Sequence, residues 1–157
     1  MIKVYTTKSK SKGENGNCLA ASLASVLEIQ IEQVPEFENM TKDTWKNALF
    51  EWASKCGYAV RFTKNPPVGF AIGVGIHPEG EFHAVVVLNG EFFFDPNGSD
   101  EFYETHRYYI DAFHTDPSMQ IPPYFESDNV SFNPVFDVIT AWEQAFASVR
   151  ITKLVVT

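Results

Sequence analysis

Cys18 is the residue of this chain whose type and setting best suit nucleophilic chemistry. It follows the turn-forming cluster 13–17, and leucines recur at every fourth position from 19 to 27, which predicts a buried helix that begins at Cys18 with Asn17 as its N-cap. The unpaired amides and the dipole of a first helical turn favour negative charge, so a thiol placed there ionises more readily. Free cysteine is also among the most buried residue types, so a plain core role is the alternative.

His83 and Asp95 are the residues that could assist such a thiol. His83 interrupts the apolar run Phe82–Leu88, where a histidine is out of pattern unless it has a partner, and Asp95 ends the next run, Glu91–Asp95. An imidazole that deprotonates a thiol, itself oriented by a carboxylate, is the arrangement used in cysteine-dependent acyl transfer. The three residues therefore form a candidate catalytic set.

Strand register decides whether His83 and Asp95 can meet, since a one-residue slip moves a side chain to the opposite face of a sheet. A two-residue loop at positions 89 and 90 would place them on opposite faces. A three-residue loop at positions 88 to 90, with Gly90 in the left-handed conformation, pairs Val87 with Glu91 and His83 with Asp95. We predict the three-residue loop.

The pattern after position 40 predicts a second helix followed by a block of strands. Thr41 as a possible N-cap, an apolar stripe from Trp45 to Cys56, and Gly57 just beyond it indicate the helix, with Cys56 on its apolar side. The predicted strands are Tyr58–Thr63, Val68–Ile76, Phe82–Leu88, Glu91–Asp95 and a stretch from Tyr103 to Phe113. Helices beside consecutive strands indicate an α+β fold with an antiparallel sheet.

The ends of the chain are predicted to be less regular. Residues 1–12 are expected to form a flexible N-terminus or a short strand, and residues 116–128 an irregular loop. Asn133 followed by Pro134 predicts a third helix, and residues 150–157 a closing strand, so that 133–157 completes the fold. A length of 157 residues, 45% of them hydrophobic, suits a single domain over 1–157.

Composition indicates the compartment of the protein, the classes of partner it can have and the state of its cysteines. The net charge of −8 argues against nucleic acid as a partner. The sequence shows neither an apolar run of about 20 residues nor a secretory leader. These features predict a cytoplasmic protein with no membrane partner. Two cysteines in a chain of this length predict free thiols rather than a disulfide framework.

Neither a metal nor a cofactor is predicted. The segment from Asp95 partly imitates a calcium loop, but Asp100 stands where glycine is required and His106 where glutamate is required. His77, His106 and His114 lack metal-type spacing with either cysteine.

Parts of the chain resemble a known family, the papain-like cysteine peptidases, and especially the C39-like proteins of bacteria and phages. The resemblance spans roughly residues 13–98 and is carried by Gly16–Leu27, Val34–Phe37, His83–Val87 and Phe94–Pro96. It implies a papain-like fold in which an N-terminal helix carrying Cys18 packs on an antiparallel sheet carrying His83 and Asp95. It further implies Cys18 as nucleophile, His83 as general base and acid, Asp95 as the group that orients the ring, and a peptide or protein as substrate.

The sequence departs from that family at the oxyanion site. Papain-like enzymes usually place a glutamine a few residues before the cysteine, whereas the first glutamine here is Gln30, so Asn15 or Asn17 would have to supply the amide, and Asn15 is the candidate. The leading prediction is hydrolysis of a peptide, isopeptide or other amide bond through a thioester. The alternatives are transglutaminase-like acyl transfer, or a non-catalytic papain-like module, for example a phage protein that binds or inhibits a host factor.

Overall fold

The computed structural model describes residues 1–8, 16–76, 82–98, 106–115 and 124–125, and the predictions for 133–157 and for Asn15 lie outside them. The described helices are α1 (Cys18–Leu27) and α2 (Trp45–Cys56), with short 3-10 helices at Ile31–Gln33 and Phe37–Asn39. The strands are β1 (Tyr58–Thr63), β2 (Phe70–Ile76), β3 (Phe82–Leu88), β4 (Glu91–Phe94), β5 (His106–His114) and β6 (Tyr124–Phe125).

The strands form one sheet in the order β4-β3-β2-β5-β1-β6. All described pairs are antiparallel except β1 with β6, which is parallel. The predicted α+β class, with a cysteine-bearing N-terminal helix and an antiparallel sheet, is confirmed. The irregular loop predicted over 116–128 is wrong at Tyr124–Phe125, because the free edge of β1 offers Arg61 and Phe62 as pairing partners there.

The two α-helices share one hydrophobic core with the sheet. Alternate residues of the central strands point toward the helices, as the period of two in a strand requires. The side chains that lie fully buried in this core include Leu23, Leu27, Leu49, Ile72 and Ile110. Alanines at positions 20 and 24 let α1 pack closely against it, and this packing fixes the helix whose first residue is Cys18.

α2 differs from its prediction at both ends. It begins at Trp45 after Thr44, so Thr41 is not its N-cap; the Thr41 hydroxyl instead lies 2.6 Å from that of Thr44 in the preceding turn. Gly57 ends the helix at φ 78°, as predicted. Cys56 was predicted on the apolar side but is exposed, because the last turn of α2 extends past the core and its last buried residue is Ala53.

The loop between β3 and β4 has two residues, so the predicted three-residue loop is wrong. Leu88 pairs with Glu91, and Asn89 and Gly90 both adopt left-handed conformations, at φ 53° and 85°. This is the backbone of the tight Asn-Gly turn, which matches the twist of the flanking strands. Asn89 is also held by Gly69, whose amide donates to the Asn89 Oδ1 at 2.7 Å.

A bulge in β4 changes the consequence of this short loop. The register shifts between Val86 and Val87, so that Val86 pairs with Phe94. The next residue, Asp95, then falls opposite Val85, on the side that alternation also gives to His83. A two-residue loop alone would have separated His83 from Asp95, and the extra residue in β4 brings them back to one side.

We expect Gly90→Ala to destabilise the protein strongly. A Cβ at Gly90 would lie 2.4 Å from the Pro66 Cβ, and the left-handed φ adds its own penalty. Together these predict a loss of about 3 kcal/mol in the free energy of unfolding, measured by urea denaturation. Gly57→Ala is the matched control, since its φ is similar at 78° but nothing lies within 4 Å, and it should lose only about 1 kcal/mol. Equal losses would contradict the role given to Pro66.

The first eight residues lie along α1. The Ile2 amide donates to the Ser25 carbonyl at 3.1 Å, and the Val4 amide donates to the Ser25 hydroxyl at 2.9 Å. Nearer the start of the helix, the Thr6 amide donates to the Pro96 carbonyl at 3.0 Å. This segment, predicted to be a flexible terminus or a short strand, therefore joins α1 to the residue that follows Asp95.

None of the helices in the described residues is long and apolar enough to cross a lipid bilayer.

Candidate active site

Cys18 is the first residue of α1, as predicted, but Asn17 does not cap the helix with its side chain. The Asn17 Oδ1 accepts the amides of Thr7 and Lys8, each at 3.2 Å, and its Nδ2 donates to the Thr7 hydroxyl at 2.8 Å. Only its carbonyl serves the helix, accepting the Ala21 amide at 3.0 Å. Asn17 therefore ties the N-terminal segment to the residue before the cysteine.

The side chain that caps α1 is Glu38, which sequence reasoning missed. Its Oε2 accepts the Ala20 amide at 3.0 Å, and the Leu19 amide also bonds to the carboxyl group. The buried ring of Phe37 anchors the 3-10 helix from which Glu38 projects. Burial raises the pKa of Glu38 to about 7, against the opposing effect of the helix amides.

His83 and Asp95 form a buried hydrogen-bonded pair, with the His83 Nε2 2.9 Å from the Asp95 Oδ1. The Asp95 oxygen also accepts the Asn97 amide at 2.9 Å, which fixes the carboxylate in the turn after β4. Both side chains are more than nine-tenths buried. This pairing was predicted from the sequence, although by a different loop.

The Cys18 side chain forms a hydrogen bond with the His83 ring. Because Nε2 bonds to Asp95, Nδ1 is the ring nitrogen left for the thiol. Burial on its own lowers the pKa of His83, but hydrogen bonds to Asp95 and Cys18, together with their charges, outweigh it and raise the pKa to about 9. Cys18 itself is partly exposed, so an incoming carbonyl can reach it.

The arrangement can stabilise a thiolate beside an imidazolium. The His83 ring is positive at neutral pH, and a positive ring beside a cysteine at the start of a helix is a setting in which a thiol acts as a nucleophile. The same ring carries a proton that a leaving group can take. The structure therefore brings together the three residues that the sequence selected, in a geometry suited to nucleophilic attack.

The other sequence candidates lie apart from this cluster or outside the described residues. Asn15, the candidate oxyanion donor, is outside them, as are His77 and Asp100. His114 bonds instead to the Leu27 carbonyl at the end of α1, at 2.6 Å. Within the described ranges, no group of three or more histidine, cysteine, aspartate or glutamate side chains could hold a metal ion.

No family model, curated protein or solved structure matches this chain.

We expect Glu38→Gln to change how stability depends on pH. The pKa of Glu38 is about 7 in the folded protein and 4.5 as its ordinary value, so the unfolded chain ionises first and stability falls as the pH rises from 4.5 to 7. The free energy of unfolding should drop by about 2 kcal/mol over that window, and Glu38→Gln should remove this drop. Urea denaturation at pH 4.5, 6 and 7.5 measures it.

Glu36→Gln is the control for that series. Glu36 lies two residues away, and its hydrogen bond to Lys8 lowers the pKa instead. Its replacement should leave the drop between pH 4.5 and 7 in place. A drop of the same size in wild type and Glu38→Gln would contradict the account of the Glu38 carboxyl.

Proposed function

We propose that the chain is a papain-like cysteine hydrolase that cleaves a peptide, isopeptide or other amide bond through a thioester at Cys18. The observation that carries the proposal is the contact series from the Cys18 thiol to the His83 ring and on to the Asp95 carboxylate. Each of the three has the chemical type that its position demands: a nucleophile, a proton carrier and an acceptor that orients the ring.

The proposed reaction has two halves. The Cys18 thiolate attacks the acyl carbonyl, the amide C–N bond breaks, and His83 gives its proton to the departing amine, leaving a thioester. His83, now neutral, then takes a proton from water as the water oxygen attacks the thioester. The C–S bond breaks, the carboxylic acid product leaves, and Cys18 is again a thiolate beside the protonated His83 ring. Asp95 accepts the Nε2 proton throughout and keeps Nδ1 directed at the sulfur.

The papain-like assignment of the fold belongs to the same proposal. Its support is the chain order of cysteine, histidine and aspartate, and a helix that begins at the cysteine and packs on the sheet that carries the other two. A net charge of −8 makes a peptide or protein a more fitting substrate than a nucleic acid.

A second candidate function is a binding or inhibitory module on the same scaffold. The observation that favours it is that the Asn17 amide is engaged by Thr7 and Lys8, so this side chain does not serve an oxyanion. Asn15 is the remaining candidate of the sequence for that donor. A protein without such a donor would keep the reactive thiol but lose much of its turnover, because oxyanion stabilisation is a large part of acyl-transfer catalysis.

Reaction with p-nitrophenyl acetate separates these functions. For a hydrolase we expect a burst of one equivalent of p-nitrophenolate, an acetyl group on Cys18 by mass spectrometry, and continued turnover that Cys18→Ala abolishes and Cys56→Ala does not. Turnover that rises with added glycine methyl ester and yields its acetamide would identify an acyl transferase instead. Absence of a burst, with Cys18 and Cys56 acetylated equally slowly, would overturn the proposal and favour the binding module.

A further inference from the structure

Asn17 is a buried residue whose side chain is directed at the N-terminal segment. It is only 3% exposed, and it does not cap α1, because the Glu38 carboxyl group accepts a helix amide in its place. The Asn17 Oδ1 accepts the amides of Thr7 and Lys8, and its Nδ2 donates to the Thr7 hydroxyl at 2.8 Å. An asparagine amide has two donor hydrogens and an oxygen that accepts twice, so these bonds use most of its capacity.

The same segment is bonded to the other half of the active site. The Thr6 amide donates to the Pro96 carbonyl at 3.0 Å, and Pro96 is buried and directly follows Asp95. The ring of Tyr5 packs edge-on against Phe94, the residue before Asp95, with 5.1 Å between the ring centres. This short stretch therefore contacts the residue before the nucleophile and both chain neighbours of the aspartate.

These contacts close a ring that includes the contact between thiol and imidazole. Each step is a hydrogen bond or a link between chain neighbours, and the members in order are Cys18, Asn17, residues 7 and 6, residues 96 and 95, and His83. The last step is the hydrogen bond between His83 and Cys18. The separation of thiol and imidazole therefore depends on the other links of the ring as well as on the packing of α1 against the sheet.

We propose that Asn17 is a positioning residue for Cys18, which ties the start of α1 through residues 6–8 to the turn after β4 and so holds the thiol against the His83 ring. The inference rests on the proposed function, because it concerns how the nucleophile is kept within reach of its base. Catalytic groups must be held to within about 0.5 Å, and a displacement of about 1 Å can lower a rate roughly 100-fold. The N-terminal segment is then a working part of the active site.

Ser25 anchors the same segment at its other end and provides the matched control. The Val4 amide donates to the Ser25 hydroxyl at 2.9 Å, and that hydroxyl donates to the Ala21 carbonyl at 2.8 Å. Ser25 lies about 10 Å beyond Cys18 along the helix axis, outside the ring of contacts. Ser25→Ala should therefore loosen the segment and lower the stability in urea without disturbing the contact between thiol and imidazole.

NMR titration of the His83 ring in the full chain measures that contact. Burial lowers the pKa of His83, but the bonds to Asp95 and Cys18 outweigh it and raise the pKa to about 9, so a loosened contact should lower the midpoint. Asn17→Ala and Thr7→Val, which removes the hydroxyl at similar shape, should each lower the midpoint by roughly 0.5 to 1 pH unit. Thr7→Ser, which keeps the hydroxyl, and Ser25→Ala should both retain the wild-type midpoint.

The rate constant for alkylation of Cys18 with iodoacetamide at pH 6, with exposed Cys56 as internal reference, is the second readout. Asn17→Ala should lower the Cys18 rate roughly tenfold and Thr7→Val roughly threefold, while Thr7→Ser and Ser25→Ala should stay within about twofold of wild type. Wild-type rates and midpoints in both Asn17→Ala and Thr7→Val would overturn the inference. Thr7 is exposed, so Thr7→Val gives this answer even if Asn17→Ala fails to fold.

Failure of the proposed function looks different from failure of this inference. In that case Cys18 would alkylate as slowly as Cys56 in the wild-type chain, whereas the His83 midpoint would still fall in Asn17→Ala and Thr7→Val. An activated Cys18 in the wild type, together with an unchanged midpoint and rate in these variants, would leave the hydrolase in place and contradict only the part given to Asn17.

Discussion

Replacing His83 with alanine lowers the rate constant for alkylation of Cys18 at pH 6 by about 30-fold or more. The reason is the loss of the imidazolium that bonds to the thiol, because the thiolate is the nucleophile and an adjacent positive charge favours it. The measurement is the rate of carboxamidomethylation at each cysteine, followed by mass spectrometry.

Cys56 provides the control inside the same molecule. Cys56 is exposed at the end of α2, and its reactivity does not depend on the His83–Asp95 pair. Its alkylation rate should therefore be equal in wild type and His83→Ala. A Cys18 rate that survives the substitution would mean that the helix terminus alone activates the thiol, and that His83 is structural.

Asp95→Asn should flatten the dependence of stability on pH above neutrality. The pKa of His83 is raised to about 9 in the folded protein, partly by Asp95, against 6.5 as its ordinary value. Its contribution to stability is therefore fully present below pH 6.5 and is lost as the pH rises through 9. We expect the wild type to lose up to about 3 kcal/mol across that window, and Asp95→Asn to lose less, because the part of the shift that Asp95 causes is removed and the stability at pH 6 is already lower.

Thermal or urea unfolding at pH 6, 7.5 and 9.5 measures the difference. The gap between wild type and Asp95→Asn should be largest at pH 6 and narrow toward pH 9.5. Asp43→Asn, at an exposed position before α2, is the control and should run parallel to the wild type. A gap that stays constant with pH would show that Asp95 contributes only through its bond to the Asn97 amide.

Features encoded by local sequence were predictable. The helix Cys18–Leu27 begins at the predicted residue, and the strands Tyr58–Thr63 and Phe82–Leu88 have the predicted first and last residues, because hydrophobic period and turn residues mark these ends. The same kind of signal marks the tight turn at Asn89 and Gly90, but that turn alone would place His83 and Asp95 on opposite faces of the sheet.

The bulge that reconciles the short turn with the paired residues was not predictable from the pattern. Three consecutive phenylalanines in β4 give no alternation to read, so nothing in the sequence marks where the strand gains a residue. In the structure Phe94 is buried and Phe93 is exposed, and the register shifts between Val87, which pairs with Phe92, and Val86, which pairs with Phe94. The expectation that His83 pairs with Asp95 correctly predicted the site. The Asn-Gly turn signal correctly indicated the length of the loop.

Glu38 illustrates what the sequence does not encode locally. It caps a helix whose cysteine lies 20 positions earlier, and the contact exists only because the 3-10 helix around Phe37 packs beside α1. Asn17 satisfied every local rule for an N-cap, yet its side chain turns to Thr7 instead. Local capping rules name residues that are able to cap, and the tertiary fold decides which one does.

The central claim is that His83 activates Cys18 as a nucleophile, and alkylation of the two cysteines of the wild-type chain with iodoacetamide tests it most directly. We predict that Cys18 reacts at least about tenfold faster than Cys56 at pH 6. Equal rates for the two cysteines at pH 6 would contradict the account.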